Sequence, residues 1–307
     1  MIVELARFAR ATPIGALNAL FPPPQIFGKI FVRLSSRPAF MRSLHGEFHE
    51  LKTLILPTTG FESWMNSMLT WLRKLGVPSV LVPDNWDNLT SKNSLAVLPD
   101  AIVVMGDSSA RGLSKNLGIP MEILWPIGIP KFSSISTSPF GPGKSVPRVL
   151  FLGFSLPYDE IATMNSLYRK LKANFGENFV FHYKPHPNRK PRSIREEEVD
   201  KEIHIIRSKS KYVLPELDSD YNAFLHAYHV VISPPTTMLL EFLLAGSGAV
   251  LLDNTMDNIH RTTPGIFSRK WLHVSDLDCL DLPKADGSDE LFTLVSDYLS
   301  GERGLTD

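Results

Sequence analysis

Two segments roughly fifty residues apart constrain this chain more than any other feature. They are Phe181-His182-Tyr183-Lys184-Pro185-His186-Pro187-Asn188-Arg189 and Val231-Ile232-Ser233-Pro234-Pro235-Thr236-Thr237-Met238-Leu239-Leu240-Glu241. Each opens as a short apolar run, the pattern of a buried strand, and each closes in groups that hold anions. Lys184, His186 and Arg189 bring cationic or donor groups to a strand's carboxyl end. Ser233, Thr236 and Thr237 stand at the start of a helix, where free N–H groups and the helix dipole favour a phosphate. Together they predict a pyrophosphate site in the crevice of an open α/β sheet, outside the carboxyl ends of its strands.

The rest of the chain fits such a sheet. Strands are expected at 51–57, 79–83, 101–105 and 122–125, with helices at 61–75 and 108–117 closed by Gly76 and Gly118. Residues 131–147, rich in Ser, Pro and Gly, read as a linker. The alternation then restarts: strands at 148–154, 178–183, 202–207, 229–233 and 249–253, helices at 159–175, 220–228 and 236–244. Strands alternating with helices argue for parallel sheets with helices on both faces. The expected fold class is therefore α/β, two Rossmann-like domains facing across a cleft, residues 1–145 and 146–307, with a helical N-terminal segment.

Composition narrows the partners. Lys and Arg number 32 and so do Asp and Glu, so no global field selects nucleic acid or an anionic membrane. One cysteine, Cys279, excludes an internal disulfide framework and fits a reducing, cytoplasmic setting. No apolar run is long enough to span a bilayer. Met1 to Phe21 reads as an amphipathic helical segment carrying Arg7 and Arg10, interrupted near Pro13 and stopped at Pro22-Pro23-Pro24. It packs on its own domain or lies on a membrane surface, which would put the protein at the inner membrane face.

These residues resemble GT-B glycosyltransferases of bacterial surface-polysaccharide synthesis, a clan with polysialyltransferases, Kdo transferases and CDP-glycerol glycerophosphotransferases. Lys184-Pro185-His186-Pro187 is similar to the clan's His-Pro motif, and 233–241 to its Ser-Ser-x-x-x-Glu region with Thr-Thr for Ser-Ser. Val82-Pro83-Asp84-Asn85-Trp86-Asp87-Asn88-Leu89-Thr90-Ser91-Lys92, then Pro99-Asp100 and Val103-Val104-Met105-Gly106, resembles the first domain of one branch. The likeness covers roughly residues 50–255. It departs at the start, where such domains open with a strand and a glycine loop and this chain has a helical pattern.

The resemblance implies roles. His186 would contact the donor's phosphate and stabilise the leaving nucleotide, with Lys184, Arg189, Ser233, Thr236 and Thr237 around it and Glu241 on the ribose hydroxyls. Helix capping is the structural alternative for the threonines, and a solvated loop charge for Lys184 and Arg189. A base for the acceptor hydroxyl would come from the first domain, where Asp87 leads Asp84; Trp86 would stack on a sugar and Lys92 meet a phosphate. The alternative for that loop is Asx capping of the next helix.

No metal or other cofactor is expected. His182 and His186 sit on a strand and its loop, and neither Asp218-Ser219-Asp220 nor Asp276-Leu277-Asp278 follows a strand. The reading is a metal-independent, inverting glycosyltransferase using a nucleotide-sugar donor and a glycan or lipid-linked acceptor. The alternative is a non-catalytic GT-B-like binding protein or a sugar-nucleotide epimerase.

Overall fold

The β-branched and leucine-rich runs form strands, and the glycines after apolar-periodic segments end helices, in a computed structural model of the chain. It describes residues 51–58, 65–86, 89, 95, 97–137, 146–154, 159–186, 196–206, 221–252, 277, 280–285 and 287–303. The described residues form two compact units that divide between Ser133 and Ser134. The Met1–Phe21 segment lies outside them.

The first unit holds β1 (Leu54–Thr58), α1 (Met65–Leu75), β2 (Ser79–Pro83), β3 (Ala101–Val103), α2 (Asp107–Leu117) and β4 (Leu124–Trp125). Its four strands are parallel and lie in chain order, β1-β2-β3-β4. Helix α1 buries Met65, Met68, Leu69 and Leu72, a stripe at the spacing of one helix face. That stripe packs with Leu56, Leu81, Ile102, Leu113 and Leu124. Gly118 closes α2 at φ 66°, a left-handed conformation open to glycine at little cost.

The second unit holds β5 (Arg148–Leu152), α3 (Glu160–Phe175), β6 (Val180–Lys184), β7 (His204–Ile205), α4 (Tyr221–Leu225), β8 (Val230–Ser233), α5 (Thr237–Ala245), β9 (Gly248–Leu252), β10 (Lys284–Ala285) and α6 (Ser288–Ser300). The strands run parallel in the order β10-β9-β8-β5-β6-β7. Strand β5 is therefore the switch point: the chain moves to β6 and β7 on one side, then to β8, β9 and β10 on the other. Alternate residues sort onto two faces. Val149, Phe151, Phe181, Tyr183, Val230 and Ile232 meet Met164, Leu167 and Leu171 of α3 and Leu291 and Val295 of α6. The opposite face takes Leu150, Leu152, His182, Lys184, Val231 and Ser233 by the same alternation.

Two observed elements were absent from the sequence expectation, β10 and α6. Others differ in extent. The strand expected at 202–207 is only His204–Ile205, the helix expected at 220–228 is Tyr221–Leu225, and the expected linker opens with a 3-10 turn at Pro130–Ser134. Residues 138–145 of that linker lie outside the described ones. Among the described residues, no helix is long and apolar enough to cross a membrane.

Candidate functional site

Both anion-binding segments arrive at the carboxyl edge of the second sheet, on the two strands that flank β5. Leu152 pairs with Lys184, and Phe151 pairs with Ile232, the residue before Ser233. With neighbouring strands about 4.8 Å apart, Lys184 and Ser233 stand about 10 Å from each other with Leu152 between them. They share one sheet face with His182, whose Nδ1 lies 2.8 Å from the Tyr228 hydroxyl. The rings of Tyr228 and Phe242 of α5 meet edge to face on that side, at 5.8 Å. So Lys184, Ser233 and α5 occupy the same face and the same edge.

Lys184 overturns one of the two sequence alternatives. A surface charge in the loop after β6 was one expectation; instead it is the last residue of the strand, buried to 8% exposure. Burial holds its ammonium pKa below the ordinary lysine value, because a desolvated charge is disfavoured. His186 follows Pro185 and is half-buried. Arg189 lies outside the described residues.

Across β5, Thr236 is the N-cap of α5: its Oγ1 accepts from Leu239 N at 3.3 Å and lies 3.0 Å from Ser233 Oγ. The capping role expected as the structural alternative is therefore present. Thr237 opens the helix and is half-buried beside it. Glu241, one turn on, is 1% exposed, and its carboxylate accepts a hydrogen bond from the Tyr221 hydroxyl of α4. A buried carboxylate needs such a partner.

Three residues that the sequence reading passed over complete this edge. Gly153 follows β5 directly, and its N–H donates to the Lys184 carbonyl at 2.8 Å. A Cβ built on it would come within 2.9 Å of His186 N, so only glycine lets the two backbones approach. Glu160, at the first position of α3, is 1% exposed and accepts from Phe154 N at 3.1 Å and from the Tyr183 hydroxyl. The signal was a strand ending in glycine, then Asp159-Glu160 opening a helix. Tyr221 is the third, and nothing in its sequence context marks it.

In the first unit, Asp84 follows β2 and its N–H donates to the Thr58 carbonyl at 3.0 Å, which seats the loop at the carboxyl end of the sheet. Asn85 Oδ1 accepts from Lys131 Nζ at 3.4 Å. Trp86 is buried to 8% exposure, which places its indole in the protein rather than in an open stacking position. Asp87, Asn88, Thr90 and Lys92 lie outside the described residues, as do Asp218, Asp220, Asp276 and Asp278.

No protein-family model and no curated protein matches the sequence. Solved structures do match the fold. One is a protein from Listeria monocytogenes named as a candidate UDP-N-acetylglucosamine 2-epimerase, 13% identical with a TM-score of 0.56, covering 86% of this chain and 70% of that one. A second is the UDP-GlcNAc 2-epimerase of Neisseria meningitidis bound to UDP-GlcNAc, 11% identical with a TM-score of 0.51, over 84% and 71% of the two chains. A third is the glycotransferase of kitacinnamycin, 11% identical with a TM-score of 0.50, over 85% and 71%. The fold is of the GT-B type. Glycosyltransferases and epimerases share it, and at these identities the likeness speaks for the fold alone.

Proposed function

We propose that this chain is a nucleotide-sugar-dependent glycosyltransferase whose donor site lies at the carboxyl edge of the second sheet. The observation that carries the reading is the placement of Lys184 and Ser233 on either side of Leu152, at the switch strand β5. Open α/β sheets bind their ligands at such a point. That one neighbour in fold is bound to UDP-GlcNAc and another is a glycotransferase supports a sugar nucleotide as the ligand.

In this reading, residues 146–307 hold the donor and residues 1–145 the acceptor, a glycan or a lipid-linked glycan. Lys184, His186, Arg189, Ser233, Thr236 and Thr237 hold the diphosphate, and Glu241 the ribose. Asp87, or failing that Asp84, takes the proton of the acceptor hydroxyl. The acceptor oxygen then bonds to the anomeric carbon as that carbon's bond to the phosphate oxygen breaks. The charge gathering on the leaving nucleotide is met by His186 and Lys184, which stabilise it more in the transition state than in the ground state. Met1 to Phe21 would pack on its own domain or lie on the inner membrane face.

A second reading is a sugar-nucleotide epimerase, the name that two of the proteins of similar fold carry. One experiment separates them. The protein is incubated with CMP-, CDP-, UDP- and GDP-linked sugars, with and without a panel of glycan acceptors. Nucleotide release that requires acceptor supports the transferase. Conversion of the donor sugar to its epimer without acceptor overturns it in favour of the epimerase, and no consumption of any donor overturns both.

A further inference from the structure

We propose that Glu160 is the positioning residue of this site: its carboxylate fixes Gly153 and Phe154, which follow β5, and, through Gly153, the backbone of His186. This rests on the donor-site reading above.

Glu160 is the first residue of α3, yet its side chain reaches back to Phe154, two residues beyond β5. One carboxylate oxygen accepts from Phe154 N at 3.1 Å; the other accepts from the hydroxyl of Tyr183, one residue before Lys184. The same side chain therefore ties Phe154 to the strand that carries the cationic motif. Gly153 fills the space between. A Cβ there would lie 2.8 Å from Glu160 Oε1, 2.9 Å from His186 N and 3.1 Å from Pro185 Cα. The carboxylate and the His186 backbone both border the position that a Cβ on Gly153 would take.

Carboxylates repel phosphates, so one placed beside a phosphate site needs its charge absorbed. Here the N-terminus of α3 and two hydrogen-bond donors do that. At 1% exposure the group is also shielded from any ligand, so its role is to hold the neighbouring backbone. A displacement of about 1 Å at such a site costs on the order of a hundredfold in rate.

The test is a double-mutant cycle between Glu160→Leu and His186→Ala, read on turnover with the accepted donor and on UDP affinity by calorimetry. Glu160→Leu alone should lower kcat by roughly tenfold to a hundredfold while donor KM moves less, and in the His186→Ala background it should cost less than about threefold. Glu160→Gln should restore most of the activity, because its amide can accept from Phe154 and donate to the Tyr183 oxygen. Equal losses with and without His186 overturn the positioning role and leave Glu160 a support of the fold. If Glu160→Leu does not fold, Tyr183→Phe carries the same cycle and the same two outcomes. If His186→Ala changes neither turnover nor UDP affinity, the donor site itself is wrong and this inference falls with it.

Discussion

His229 Nδ1 accepts a hydrogen bond from the backbone N–H of Arg148 at 3.1 Å, joining the starts of β8 and β5, and that role requires the neutral imidazole. Burial, helped by the Arg148 charge, pushes the pKa below the ordinary value of 6.5. The unfolded chain therefore binds the proton more readily, and stability rises with pH through this window. The contribution is present above about pH 6.5 and is lost as pH falls through the lower folded value. Urea unfolding at pH 5.5 and pH 8 should show it, with His229→Asn, which keeps a side-chain acceptor, reducing the difference. The hydrogen bond is worth about 0.5–1.5 kcal/mol. An identical pH dependence in the mutant would assign the effect to another group.

Lys184 carries a desolvated charge at the edge of the sheet, and burial lowers its pKa. Stability should rise with pH as this ammonium is neutralised, below the unfolded value of 10.5. Lys184→Met should hold or raise the melting temperature while weakening UDP binding by roughly tenfold or more. A variant that loses stability and keeps its nucleotide affinity would make Lys184 a structural residue.

Glu241 accepts from Tyr221, and the donor-site reading adds a ribose hydroxyl. Glu241→Gln should weaken nucleotide binding by about 1–3 kcal/mol in calorimetry. Tyr221→Phe should cost stability and leave affinity closer to that of the parent. If both substitutions alter stability alone, Glu241 serves the packing of α4 against α5.

For the acceptor base, Asp87→Asn keeps the size of the side chain but cannot take a proton at neutral pH. The expected loss in transfer is about 10²–10⁴, with UDP affinity unchanged and a smaller effect for Asp84→Asn. The reverse ranking moves the base to Asp84. Full activity in both removes the base from this loop.

Most of the parallel-strand pattern was legible because buried strands read as short apolar runs and glycines mark the helix ends, as at Gly76 and Gly118. Strand order was not, since register between β5 and β8 depends on long-range pairing that no local signal encodes. The anion-binding segments were readable as residue types at strand ends. Their convergence on β5 became visible only with the sheet order. The burial of Lys184 was not legible, because a lysine before proline looks like loop and its burial depends on the strands on either side. Glu160 was missed because its partners, Phe154 and Tyr183, are brought to it by the fold. The helix α6 did carry a signal, Leu291, Val295 and Tyr298 on one face behind Asp289 and Glu290, beyond the last strand that was read.

The order of the strands also sets a sequence of events during synthesis. In the first sheet each strand pairs with the one made just before it, so pairing can follow the emerging chain. Strand β5 must wait for β8, whose Val230 pairs with Val149 from 81 positions further along the chain (230 − 149). Until then one edge of Val149, Leu150 and Phe151 stays unpaired, and such an edge recruits other chains. Chains released before Val230 should accordingly appear in the insoluble fraction, and chains released after Ser300 in the soluble one; equal solubility of the two would show that the open edge is harmless. The central strand that gives the sheet its ligand-binding crevice is thus also the one a nascent chain leaves exposed longest.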